Sequence, residues 1–242
     1  MMKVFNLKCP SLAGFSHDQR ILGAFLLSIG LCGCSATKSP NYYTLMPSAT
    51  TSTTSSVRVI EVLPVGLPDR LDRPLIVLQQ LNGQAKVLDN ERWTSPLSAE
   101  LRDGLSAGLQ QKLGAVDRYS SGMTGGKDAY RIATDFSRFD IIEKSASSGP
   151  IKQEIAVAVA WTIKLEKANR VVDASSKSQA VSLNQLSCRI QFSTPVASTG
   201  QKMTDIVNTA QQSLTQVVNA VSVSVVNLET KKVNNLPNVV CA

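Results

Sequence analysis

Histidine is all but missing. The chain of 242 residues holds one, His17. It lies in the N-terminal leader expected to be cleaved off, so the mature chain should hold no imidazole, hence no general base for a Ser-His-Asp or Cys-His nucleophile and no His-type zinc site. Gly104-Leu105-Ser106-Ala107-Gly108 matches the G-x-S-x-G nucleophile elbow by letter. It falls inside a helical pattern rather than at a strand-to-helix turn, so it reads as coincidence. Ser106→Ala should then leave the helix no weaker, since alanine is the better helix former. Paired-carboxylate motifs and Gly-rich phosphate loops are also missing. Together these shortages argue against an enzyme and predict neither metal nor cofactor. A dense basic run is lacking as well, which disfavours nucleic acid as a partner. So is any apolar run near the ~20 residues that a spanning helix needs.

What apolar run there is lies early. Ile21-Leu22-Gly23-Ala24-Phe25-Leu26-Leu27-Ser28-Ile29 follows Arg20 and a leader with Lys3 and Lys8. A positive flank, a short apolar core and small residues at the exit describe a secretory signal. Leu31-Cys32-Gly33-Cys34 resembles the bacterial lipobox, in which the cysteine after an aliphatic and two small residues is acylated and becomes residue one. Cys34 is therefore the expected lipidation site, and residues 1–33 the signal peptide. Residues 34–56 form a lipid-anchored tether with a short strand and a Ser/Thr-rich loop, and 57–242 a single periplasmic domain of a size that buries one core. Removing Lys3, Lys8 and Arg20 from 25 basic side chains, and Asp18 from 18 acidic ones, leaves a net charge of +5. Of five cysteines, Cys188 and Cys241 remain as free thiols in an oxidising space, where they can pair. Such a bridge stabilises by roughly 4 kcal/mol on the chain-entropy account. The alternative is a buried Cys188 and a frayed Cys241.

Downstream of the tether, Val57 to Val65 is rich in β-branched residues and predicts a mostly buried strand. Leu75 to Leu78 predicts another, and Asn82-Gly83 turns it into a hairpin partner beginning at Ala85. Ser95-Pro96 opens a helix, with serine as N-cap and proline first in the helix. Leu97, Leu101, Leu105, Leu109 and Leu113 form one apolar stripe, and Gly114 ends it. Gly104 and Gly108 sit beside that stripe, which makes sense if another backbone packs close there. Tyr130 to Ser137 alternates. Ile155, Val157, Val159, Trp161 and Ile163 share one face of a long strand, opposite Ala156, Ala158 and Ala160. Short loops at 145–150 and 167–170 predict antiparallel pairing, with 170–181 and 186–192 continuing the sheet. The alanine face must be covered closely, by a helix of this chain or by a neighbouring subunit. Lys202 to Leu228 carries apolar residues at three- and four-residue intervals, an amphipathic core-packing helix. The expected architecture is α+β: a mostly antiparallel sheet with two long amphipathic helices packed on one face. Trp93 can anchor an interface or staple the first helix to the sheet.

Several of these stretches resemble one family. They are the lipobox, Tyr42-Tyr43-Thr44-Leu45, Val57 to Val65 with Leu67-Pro68 and Leu71-Asp72-Arg73-Pro74, Asn90 to Leu97, Tyr130-Arg131-Ile132, and Phe139-Asp140. Together they look like the ABC-type transport auxiliary lipoproteins, the family of the paraquat-inducible lipoprotein PqiC. The resemblance implies an outer-membrane-anchored, periplasm-facing subunit of a system in which MCE-type proteins and their inner-membrane components move lipid between membranes. It also implies a docking role that supports envelope integrity, and a homo-oligomer, in ring form for a ring-shaped partner. Ser35 after the acylated cysteine, with no aspartate there, implies transfer to the outer membrane. The rival is a carrier that holds lipid or another small apolar ligand in its own cavity. Interface candidates are Ala156, Ala158, Ala160 and Trp93.

Overall fold

The computed structural model describes residues 38–47, 56–122, 127–145, 151–168, 184–232 and 236–242. Cys34, the Ser/Thr-rich loop at 48–55 and the expected strand at 170–181 lie outside them. Residues Pro40–Ala242 form one compact unit.

Alternation over long stretches builds the centre of the sheet. Strands β6 (Ala129–Lys144) and β7 (Lys152–Glu166) pair antiparallel along their whole length. Strand β8 (Gln185–Pro195) adds antiparallel to β7, and β9 (Val239–Cys241) closes the edge of β8 over three residues. On the other side lie β3 (Leu75–Gln79), β4 (Ala85–Trp93) and β1 (Asn41–Tyr43), in the order β1-β4-β3-β6-β7-β8-β9. Gly83, at φ +81°, makes the expected β3–β4 turn. The longest ladders are antiparallel; β6 and β7 pair across the 145–150 connection as predicted, whereas the partner of β7 on its other edge is β8 and not a strand beginning just after the expected 167–170 turn. Short parallel pairings accompany them. Strand β2 (Val59–Val62) runs along the start of β6, and β3 along its end, both parallel to it. Between them Gly66 bridges to Asp135. One edge of β6 is thus served by two successive segments, because the connection between them travels with the strand rather than turning back. Strand β5 (Val116–Asp117) extends β2 in parallel.

The helical layer is as expected. Helix α1 (Leu97–Leu113) buries its whole leucine stripe, and Gly114 ends it at φ +62°. A four-residue helix, α2 (Arg118–Ser121), follows β5. Helix α3 (Lys202–Thr230) buries Ile206, Ala210, Leu214, Val217, Val221 and Val225. The start of α1 differs in detail from the reading above. Pro96 occupies the N-cap, and Ser95 donates its hydroxyl to Glu100 Oε1 at 2.9 Å instead of capping an amide. Glu100 reaches back from the first turn, accepting the Ser95 amide on Oε1 and the Leu45 amide on Oε2. This buried carboxylate therefore ties the N-terminal segment to the helix.

Glycines set the helix spacing. A Cβ on Gly104 would lie 2.5 Å from the Leu45 carbonyl oxygen and 2.6 Å from Leu214 Cδ2. One on Gly108 would lie 2.8 Å from Val218 Cγ2. The close approach expected there is made by the Leu45 backbone oxygen and the Pro47 ring on one side and by the Leu214 and Val218 side chains of α3 on the other. No helix among the described residues is long and apolar enough to cross a membrane.

Candidate interaction face of the sheet

The two faces of the central strands have different fates. Ile155, Val157, Val159, Trp161 and Ile163 are buried, beneath α3. The opposite face carries the alanines in register across three strands. Asp140, Ala156 and Ser193 make one row, Arg138, Ala158 and Gln191 the next, and Asp135, Ala160 and Arg189 the third. Ala156 is buried, Ala158 half-buried and Ala160 exposed. Among the described residues no helix lies over this end of the face. What is there instead is a shallow hollow of about 770 Å³ floored by Ala158 and Ala160. Its rim includes Asp135, Arg189, Asn238 and Val240, the last 59% exposed.

A bulge determines which side chains reach that face. Ser137 has no partner in the β6–β7 ladder, where the register shifts between Phe136 and Arg138. The extra residue reverses the alternation that holds from Tyr130 to Phe136. Phe136 and Phe139 both turn inward and meet edge to face with centroids 6.0 Å apart. Arg138 and Asp140 are thereby put on the outer face. Sequence reading missed both; the signal was the three-residue spacing of the two phenylalanines, which breaks period two.

At the β2 end of the outer face the charges pair among themselves. Arg118 bridges Glu61 and Glu166, and Arg131 Nη1 lies 3.1 Å from Glu166 Oε1. Hydrogen bonds from Arg118 and then Arg131 hold the Glu166 carboxyl below its usual range.

The remaining sequence candidates distribute as follows. Trp93 ends β4 at 4% exposure and belongs to the core cluster, packed with the α1 stripe rather than offered at the surface. Cys188 and Cys241 are joined by a disulfide that ties β9 to β8. Ser106 is buried in α1, and its hydroxyl donates to Asp117 Oδ2 at 2.7 Å. Asp117 also accepts from Arg102 and from the Val62 and Tyr119 amides. The serine is thus one spoke of a buried carboxylate hub joining α1, β2 and β5, and its loss should weaken the fold, contrary to the expectation from helix propensity alone. Among the described residues no cluster of His, Cys, Asp or Glu is arranged to hold a metal ion. The apolar gap beside Trp93, Phe139 and Leu97 measures only about 20 Å³, far below the ~300 Å³ of small ligand sites.

Comparison with known proteins adds a family. The family model for ABC-type transport auxiliary lipoprotein components matches residues 43–222. No curated protein matches the sequence. The fold is similar to two crystal structures. One is of an uncharacterized protein, at TM-score 0.53 and 18% identity over 78% of this chain and 99% of that one. The other is of a Xanthomonas campestris protein, at TM-score 0.52 and 17% identity over 79% and 96%.

Proposed function

Because this chain belongs to the family of ABC-type transport auxiliary lipoprotein components, we propose that it hangs from the outer membrane by an acylated Cys34 and docks there the periplasmic end of an MCE-type lipid conduit. As a member of that family it is an auxiliary part of a transport system rather than its motor. Its contribution is a surface. The observation that carries the reading is the open outer face over Ala158 and Ala160. Sheet faces exposed to water ordinarily carry polar side chains; here the polar side chains of β6 and β8 flank a strip of methyl groups on β7, over which a partner backbone can approach closely. Among the described residues the gap inside the core beside Trp93 is only about 20 Å³, too small for an acyl chain, which favours docking over carriage in an enclosed cavity. A ring of copies is the assembly that fits a ring-shaped conduit, with the MCE-type protein and its inner-membrane components as partners.

Photo-crosslinking from position 160 in intact cells tests this directly. The expected adducts are a second copy of this chain and an MCE-type protein. Ala160→Trp should leave melting unchanged, since the site is exposed. It should reproduce the envelope-permeability defect of a strain lacking the protein and, with the crosslinker moved to position 191 in the same hollow, abolish both adducts. Adducts to lipid alone, with Ala160→Trp fully functional, would overturn docking in favour of a carrier.

A further inference from the structure

Beside the alanine face, between the β3–β4 hairpin and the end of β6, lies a second hollow of about 390 Å³. One buried carboxylate organises it. Asp140, with its side chain 1% exposed, accepts Arg70 Nη1 at 2.8 Å and Gln79 Nε2 at 2.7 Å on Oδ1. On Oδ2 it accepts Arg138 Nε at 3.3 Å and, more weakly, Arg70 Nη2 at 3.5 Å. Four donors fill the roughly four lone-pair sites that a carboxylate offers. Both guanidiniums still face solvent, with side chains 51% and 41% exposed. Each retains N–H groups for which Asp140 has no remaining acceptor. Arg138 in particular gives up only Nε to Asp140.

The charge does not cancel either. Two arginines and one aspartate leave one positive charge, and the lining holds no other charged side chain. The apolar part of the lining is made by Leu71, Val77 and Ala85. Arg138 reaches this position only because the Ser137 bulge turns it outward. Bulges recur where a side chain is re-aimed toward a site. The carboxylate takes the fork of Arg70 but only Nε of Arg138, which leaves the terminal N–H pair of Arg138 beside the hollow for the charge-assisted bonds by which arginine takes phosphate.

We infer that Arg70 and Arg138, held by Asp140, form a binding site for a phosphate ester, with the Leu71–Val77–Ala85 wall receiving the carbon skeleton attached to it. A phospholipid headgroup and a free phosphate share this chemistry. The site stands on its own geometry; only its assignment to a lipid headgroup rests on the transport reading above.

Calorimetric titration of the full-length acylated protein in neutral detergent micelles tests it, at low ionic strength where such pairing is least screened. The probes are inorganic phosphate and dihexanoylphosphatidylglycerol, with dihexanoylglycerol as the phosphate-free control. Saturable binding of a phosphate-bearing probe, weakened at least tenfold by Arg138→Gln, is expected. Tighter binding of the phosphatidylglycerol than of phosphate assigns a lipid headgroup, and equal binding assigns a free phosphate ester. Arg138→Lys keeps the charge but loses the fork, so it should bind several-fold more weakly with an unaltered fold, which covers a poorly folded glutamine variant. No saturable binding to the folded wild type, binding untouched by both variants, or equal binding of dihexanoylglycerol would overturn the inference. None of these results bears on crosslinking from position 160, so the two readings fail separately.

Discussion

Tyr43 shows what a single hydroxyl does at the edge of this sheet. It donates to Glu91 Oε2 at 2.7 Å, fastening β1 to β4. Burial first, then the bond and charge of Glu91, push its ionisation from 10.0 up to about 12. A group that holds its proton more tightly when folded stabilises fully below its unfolded value and loses that contribution as pH rises through the folded one. Tyr43→Phe should therefore cost about 1.5 kcal/mol at neutral pH, the low end for a bond to a charged acceptor because the pair is only part-buried. It should also flatten the stability profile between pH 10 and about 12. An alkaline limb identical to wild type would show that the hydroxyl is not engaged. Ser106 teaches the complementary lesson. Its helix was legible from the leucine period, but its partner Asp117 lies eleven residues away beyond a turn, and no local pattern links them.

Among the elements, the α1–α3 pair depends on what two residues lack. Gly104→Ala would gain up to ~1 kcal/mol in helix propensity. Against that, the new methyl falls 2.5 Å from a backbone oxygen that Glu100 helps hold in place. Overpacking of this kind costs about 1–3 kcal/mol, so the variant should be destabilised in urea unfolding. A more stable variant would mean that the helices simply separate. The elements themselves were largely readable: the leucine stripe, the Asn82-Gly83 turn, the long α3 and the β7 alternation all stand where their periods put them. Two things were not. Strand β4 runs on to Trp93 because β1 and β3 flank its far end, and polar residues such as Asp89 and Asn90 hid that continuation. The Ser137 bulge was equally hidden, since a strand's phase is decided by its partner's register.

For the whole molecule, the anchor is the first question. Cys34→Ala should leave uncleaved precursor and remove the lipid adduct from the N-terminus, both visible in the intact mass. Three acyl chains exceed the two signals that stable anchoring needs, so the variant, without them, should be missing from the outer-membrane fraction. A wild-type protein with a free amino terminus and an unmodified thiol would refute the anchor and with it the docking geometry.

The sequence by itself determined the α+β class, the helix faces, the family resemblance and the scarcity of histidine. Each is a matter of composition or of a period that repeats within one element, and burial of apolar area enforces it locally. Only the tertiary structure decided which side of β7 the helices cover. Both its faces are apolar: one is bulky, the other methyl-sized, and period two cannot say which receives α3. Packing decides, because branched and aromatic side chains fill the space between sheet and helix as alanine cannot. The same holds for Arg70, Gln79, Arg138 and Asp140. They come from three stretches of chain and meet only because β3 runs alongside the end of β6.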